Sequence, residues 1–270
     1  MMFILRTKGQ LTYLQLAWQG ATAIFSTRCG GLSVGSYQGL NLGLHVGDEK
    51  AQVLANRQLL AEIVKRPLSE FVGCQQVHGN KIASVGTVDL GRGATSLETA
   101  IPHTDGLLTN SSIPLFALFA DCVPIWLYDP KVGAGGVVHA GWRGTTAGIA
   151  PRAVAEMERH FGSRRENILA AIGPSIGPCC YRVGEEVVAK AEELKVASAP
   201  YFVPQGKGSY AADLAGFNRA LLLEAGLVER KIATCGFCTS CQPELFFSHR
   251  RDGGSTGRMA AVFLMQEGRR

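Results

Sequence analysis

The stretch "PLFALFADCVPIWLYD", residues 114–129, decides how this sequence folds. Two strongly apolar runs of strand length are interrupted by Asp121 and Cys122. Strands with continuous apolar sequence are buried on both faces. A polar break between two of them is a loop at the end of core strands, where functional groups commonly sit. A third apolar run follows in "GGVVHAGWRGT", residues 135–145, and ends by delivering His139, Trp142 and Arg143 among glycines. A buried strand has no use for that ending, and a surface turn has no use for Trp142, so the segment reads as part of a binding site.

Working outward, "ATAIFSTRCGG" reads as a strand entering a glycine turn, and "LSVGSYQGLNLGLHVGD" as irregular but packed. Asp48 is expected to cap a helix over residues 49–65. "FVGCQQVHG" and "KIASVG" read as strands around a turn at Gly79 and Asn80, with "DGLLT" as another short strand. Residues 145–161 turn helical, with Pro151 in the first turn or at a kink. After the strand "NILAAIGPSIG", helices are expected over "GEEVVAKAEEL" and "DLAGFNRALLLEAG", the second capped by Asp213 and stopped by Gly226. "KIATCGF" and "GRMAAVFLM" close the chain as strands. Strands cluster, with helices between the clusters, which implies an α+β fold in one domain over residues 1–270.

Composition bounds the function. A 46% hydrophobic and 18% charged chain of 270 residues builds a sizeable core. The net charge of +5 is mild, and its basic residues are scattered apart from "HRRDGG" and the terminal "GRR". No nucleic-acid footprint is evident, whereas a small anion suits that balance. No apolar run reaches the roughly 20 residues of a membrane span. The N-terminal charges follow the apolar residues, the reverse of a secretory signal, so a cytoplasmic enzyme is expected. Eight cysteines in that setting are packed thiols, metal ligands or a nucleophile rather than a disulfide framework.

If the strands around the Asp121–Cys122 break are neighbours, Cys122 meets His139, and His78 joins them. Two chemistries fit: a Cys122 nucleophile favoured by His139, or zinc on His78, Cys122 and His139 with a fourth position open. A buried thiol near two satisfied histidines is the plain alternative. "CGFCTSC", residues 235–241, has the spacing of half an iron–sulfur or zinc site but no obvious fourth ligand, and packed thiols are the expectation. The adjacent Cys179 and Cys180 read as a turn against the core. Arg28, Arg143, Arg250 and Arg251 stand beside glycine-rich or aromatic segments and suggest an anion site.

"STRCGGLSVGSYQGLNLGLHVGD", "QQVHG", "DGLLT", "ADCVPIWLYD", "VVHAGWRGT", "IGPSIGPCCYRVG" and "FFSHRRDGGSTGRMAA" occur in this order over nearly the whole chain. Together they closely resemble the bacterial laccase-domain family, also called the multicopper polyphenol oxidoreductase or YfiH/YlmD-like purine nucleoside phosphorylase family. The resemblance implies a single α+β domain of two related sheet-and-helix halves in four layers, α/β/β/α. It implies a metal site on His78, Cys122 and His139, holding zinc or copper. It also implies phosphorolysis of adenosine, inosine and methylthioadenosine, and deamination of adenosine. Asp121 is the candidate acid/base group, and Arg28 and Arg143 are the candidates for phosphate. The nucleobase-deaminase pattern H-x-E with P-C-x-x-C is absent. Six histidines are few for a multicopper laccase. Amide hydrolysis on peptidoglycan precursors is the alternative enzyme class, phenol oxidation on copper a second alternative, and a non-enzymatic nucleic-acid module the least supported.

Overall fold

In the computed structural model the described residues are 2–266, so the basic "GRR" at 268–270 lies outside them. The chain begins with β1 (Phe3–Lys8), β2 (Leu11–Leu16), β3 (Ala21–Ser26) and α1 (Lys50–Val64). It continues through β4 (Val72–Gly73), β5 (Ile82–Ser84), β6 (Gly106–Thr109), β7 (Leu115–Phe119), β8 (Val123–Asp129) and β9 (Ala134–Ala140). Then come α2 (Trp142–Thr146), α3 (Ile149–Phe161), β10 (Leu169–Ile172), β11 (Arg182–Gly184) and α4 (Glu185–Glu192). β12 (Phe202–Gly206), β13 (Ser209–Ala212), α5 (Leu214–Glu224), β14 (Ile232–Thr234) and β15 (Met259–Met265) complete it.

Two six-stranded mixed sheets result, ordered β1-β2-β3-β15-β7-β4 and β14-β10-β8-β9-β6-β5, beside a three-stranded sheet β11-β13-β12. β6, β7, β8, β9 and β15 are buried throughout because both of their faces are covered, whereas β1 and β12 are largely exposed. In β15, Met259, Ala261, Phe263 and Met265 enter the core between the sheets, while Ala260, Val262 and Leu264 face the layer that holds α1. In β8, Trp126 and Tyr128 enter the same central core, while Val123, Ile125 and Leu127 pack with α3 and α5. This two-residue alternation stacks helix, sheet, sheet and helix. The Trp126 indole N–H donates to the Val262 carbonyl at 2.9 Å, tying one sheet to the other. Among the described residues no helix is long and apolar enough to cross a membrane.

The opening stretch behaves as its pattern implies, with one addition. β7 and β8 belong to different sheets, so Asp121 and Cys122 lie on a crossover from one sheet to the other. The same holds for β4 and β5, which were expected to flank a simple turn. β4 pairs with β7 in the first sheet, β5 with β6 in the second, and the segment bearing His78 passes between them.

Three local expectations are corrected. Asp48 does not cap α1; its carboxylate accepts from Ser33 Oγ, Asn41 Nδ2 and the Glu49 N–H, and thereby pins the irregular loop. The helix expected over 145–161 is two helices, α2 and α3, separated at Gly148, whose φ is +74°. The three-stranded sheet was not foreseen, since Phe202–Gly206 is mostly exposed and carries no apolar run. Asp213 does cap α5, accepting from the Gly216 N–H at 2.8 Å.

Candidate metal centre

The register of the second sheet assembles the centre. β8 and β9 pair antiparallel with Pro124 opposite His139, so Cys122 stands at the end of the hairpin where β9 delivers its histidine. β6 pairs β9 on the other side with Gly106 opposite Val138, which brings Asp105 alongside His139. The crossover from β4 to β5 supplies His78. One ligand atom each from His78, Cys122 and His139 lies within 4.8 Å of the others. The two imidazoles meet edge to face, with ring centroids 4.9 Å apart.

Asp105 organises both histidines. It is fully buried, and its carboxylate accepts from His139 Nδ1–H at 2.9 Å and from the backbone N–H groups of Val77, His78 and Gly79 at 3.2, 2.9 and 2.8 Å. With Nδ1 so engaged, His139 presents Nε2 to the cluster, the arrangement that orients metal-binding imidazoles. His78 has a left-handed backbone, φ +60°, as does Asp121 at +87°. Such conformations cost about 1–3 kcal/mol and persist where surroundings enforce them. Here the His78 N–H is held by Asp105. Asp121 is held at its carbonyl by the Ile176 N–H, at Oδ1 by Thr239 and at Oδ2 by the Arg250 N–H.

The donors fit one soft to borderline divalent ion: two imidazoles and a thiolate, as zinc and copper accept. Gly141 leaves the space. A Cβ there would lie 3.0 Å from His78 Cδ2 and 3.2 Å from Cys122 Sγ.

Charge follows the geometry. Burial alone pushes the Cys122 thiol up, but the charge and hydrogen bond of His139, with those of His78, bring it down to about 6. Burial disfavours a charged His139, yet the Cys122 thiolate and Asp105 lift it to about 9. A thiolate–imidazolium pair therefore spans roughly pH 6 to 9 when no ion competes. In chelator-treated protein, alkylation of the Cys122 peptide by iodoacetamide is expected to rise with a midpoint near pH 6. His139→Ala moves that midpoint up toward the ordinary thiol value of about 8.5. Identical midpoints in the two proteins would reject the pair.

The centre lines a cavity of about 620 Å³, also bounded by Asp121, Arg143, Arg250 and Arg258. The Arg143 guanidinium lies over the Trp142 ring at 4.3 Å, and that of Arg250 over Tyr181 at 4.7 Å. Arg28 is not among the lining residues. It donates to the Pro243 and Gln38 carbonyls and lies over Phe247, so its charge holds loops together. Arg251 is likewise spent on Asp252 and on the carbonyls of Thr239, Ser240 and Phe246.

The family model described as multi-copper polyphenol oxidoreductase laccase matches residues 22–266. The chain belongs to that family. Among proteins similar to this laccase-family chain is purine nucleoside phosphorylase YlmD of Geobacillus stearothermophilus, 46% identical over 92% of this chain and 91% of the relative. A purine nucleoside phosphorylase of Deinococcus radiodurans is 38% identical over 88% of this chain and 87% of its own length. The crystal structure of the Geobacillus YlmD superposes with a TM-score of 0.94, covering 98% of this chain and all of the other at 42% identity. Bacillus licheniformis YfiH also reaches 0.94, over 97% and 99% of the two chains at 40% identity.

Three residues at the site of this laccase-family member were missed in its sequence: Asp105, buried behind the two histidines, and Arg258 and His45, which line the cavity. Asp105 and Arg258 each stand one position before an apolar strand, β6 and β15. That is the signal that exposed Asp121, and it was available. His45 lies in the irregular glycine-rich segment, where no periodicity marks it. Burial, then the nearby Arg258, Arg57 and His78, push it down to about 4, so it lines the cavity as a neutral ring.

Proposed function

We propose that this chain is a zinc-dependent purine nucleoside phosphorylase acting on adenosine, inosine and methylthioadenosine, with adenosine deamination as a second reaction in the same cavity. The observation that carries the reading is one cavity of nucleoside size lined both by the His78–Cys122–His139 centre and by Arg143, Arg250 and Arg258. The names of the similar phosphorylases support it.

Phosphorolysis breaks the bond from ribose C1′ to the purine nitrogen and forms a bond from C1′ to a phosphate oxygen, and the base leaves with a proton. Phosphate needs planar donor forks held in place. Arg143 and Arg250, each seated on an aromatic ring, provide them. The Tyr181 hydroxyl lines the same cavity; burial and the nearby Cys122 thiolate push it up to about 12, so it stays protonated and donates a hydrogen bond to base or sugar. Asp121 positions Arg250 through the backbone N–H bond and anchors Thr239. His78, Cys122 and His139 hold the ion, which when bound supplies Lewis-acid polarisation of a substrate atom. Three ligands hold one ion, so a multinuclear copper oxidase is not the reading favoured.

The test is product analysis on zinc-loaded protein given adenosine with and without phosphate. Phosphate-dependent adenine supports phosphorolysis, and phosphate-independent inosine supports deamination. Failure to release base from adenosine, inosine and methylthioadenosine overturns the proposal. For Arg143→Ala, steady-state kinetics are expected to show KM for phosphate raised roughly tenfold or more, with KM for the nucleoside far less affected. Equal effects on both would remove Arg143 from the phosphate site.

A further inference from the structure

The sequence offers two unrelated cysteine motifs, the adjacent Cys179 and Cys180 and the pair Cys238 and Cys241 of "CGFCTSC". Folding brings them together. Their four sulfur atoms lie within 4.8 Å of one another and form a group separate from the His78–Cys122–His139 set. Cys241 Sγ is 3.5 Å from Cys179 Sγ and 3.4 Å from Cys180 Sγ, and all four are free thiols. Sulfur atoms about 2.3 Å from one zinc ion at tetrahedral angles stand about 3.8 Å apart. The two Cys241 separations and the 4.8 Å span of the cluster bracket that spacing.

We propose that Cys179, Cys180, Cys238 and Cys241 form a second metal site, a structural tetrathiolate centre for zinc. The fourth ligand missing from "CGFCTSC" is not in that segment at all; the turn at 177–181 supplies two. Backbone geometry holds both segments in register for it. Ser175 and Cys238 form an isolated parallel bridge, and the Thr239 N–H donates to the Ser175 carbonyl at 3.0 Å. The Gly177 N–H donates to Cys238 Sγ at 3.3 Å, the kind of hydrogen bond that supports a ligating thiolate. Four thiolates on one divalent ion leave a net charge of about −2. Arg182, donating to the Pro178 carbonyl of the same turn, lies beside the cluster to offset part of that charge.

The centre has a consequence for the cavity. One clamped segment carries Ile176 and Tyr181, and the other leads to His249 and Arg250, all four of which line the cavity wall. A metal staple fixes the Tyr181–Arg250 stack without touching substrate.

The experiment counts metal and thiols on the full chain. Wild-type protein purified with zinc is expected to hold about two ions, and Cys122→Ala about one. Cobalt loaded into Cys122→Ala then shows the ligand-field bands of a tetrathiolate, which Cys238→Ser/Cys241→Ser in that background abolishes. No folded variant is required for the second readout. In wild-type protein, zinc is expected to shield Cys179, Cys180, Cys238 and Cys241 from alkylation, and chelation to expose them, as read by peptide mass. The proposal is overturned if Cys122→Ala binds no metal. It is equally overturned if these four cysteines alkylate at the same rate with and without zinc, or are isolated as disulfides. Because the cobalt and thiol readouts do not use Cys122, they stand or fall apart from the phosphorylase reading.

Discussion

Cys122→Ala protein is expected to lose at least about 100-fold in phosphorolysis and to release the ion held with His78 and His139, read by steady-state kinetics and metal analysis on the same preparation. Removing a residue that merely orients a ligand costs about 10–100-fold in affinity or activity, so removing a ligand sets that range as a floor. Cys122 is also the only anionic donor of the three, with its thiolate favoured at about 6. Without it, two imidazoles remain, and His139 loses the partner that raises its proton affinity most. Cys122→Ser is expected to behave like the alanine variant, because a serine hydroxyl does not ionise in this range and cannot replace a thiolate. The side chain is half-buried at a crossover rather than inside a layer, so lost packing costs little. The urea midpoint of the chelator-treated alanine variant is expected to fall mainly through the lost pairing with His139. Full activity with full metal in Cys122→Ala would remove the centre from the chemistry.

Much of this was legible because buried strands write themselves as apolar runs and their polar ends stand out. The break at Asp121–Cys122 and the histidine closing β9 were visible for that reason, and the β8–β9 register then places them together. The switch of sheet at the same break was not legible. Two apolar runs joined by a short loop read equally as a hairpin or as a crossover, and only packing in the central core, with Phe119 and Trp126 on opposing sheets, distinguishes them. The arginines show a different limit. Arg28 and Arg143 occupy similar glycine-rich contexts, yet one guanidinium faces backbone carbonyls and the other the cavity. Local sequence carries the residue type but not the partner some 215 positions away. The four-cysteine cluster has the same origin: each half looked incomplete because its complement comes from another segment.

Asp105→Asn tests the least visible part of the centre, and its expected effect on stability is the largest. The carboxylate accepts from three backbone N–H groups and from His139, and the residue is closed off from solvent. An amide replaces one acceptor oxygen with an NH2 that faces those donors. Breaking a buried ionic network from one side costs about 3–5 kcal/mol. Zinc affinity is expected to fall about 10–100-fold as His139 loses its orientation and His78 its backbone anchor. The pH dependence follows from the shift. Burial works to raise the Asp105 carboxyl, but the hydrogen bond and charge of His139 and the Gly79 and Val77 N–H groups outweigh it and hold it below its usual range. A carboxyl depressed in the folded state stabilises fully above its unfolded value of about 3.9, and that stabilisation is lost as pH falls through the folded value. His139 has the opposite sign: its contribution in chelator-treated protein is complete below about 6.5 and lost as pH rises through about 9. Urea midpoints measured across pH on chelator-treated wild type are therefore expected to decline at both ends. In Asp105→Asn the acid decline flattens and the alkaline decline begins at lower pH. A variant matching wild type in midpoint, pH profile and zinc affinity would show that the β4–β5 crossover and β9 hold His78 and His139 without Asp105.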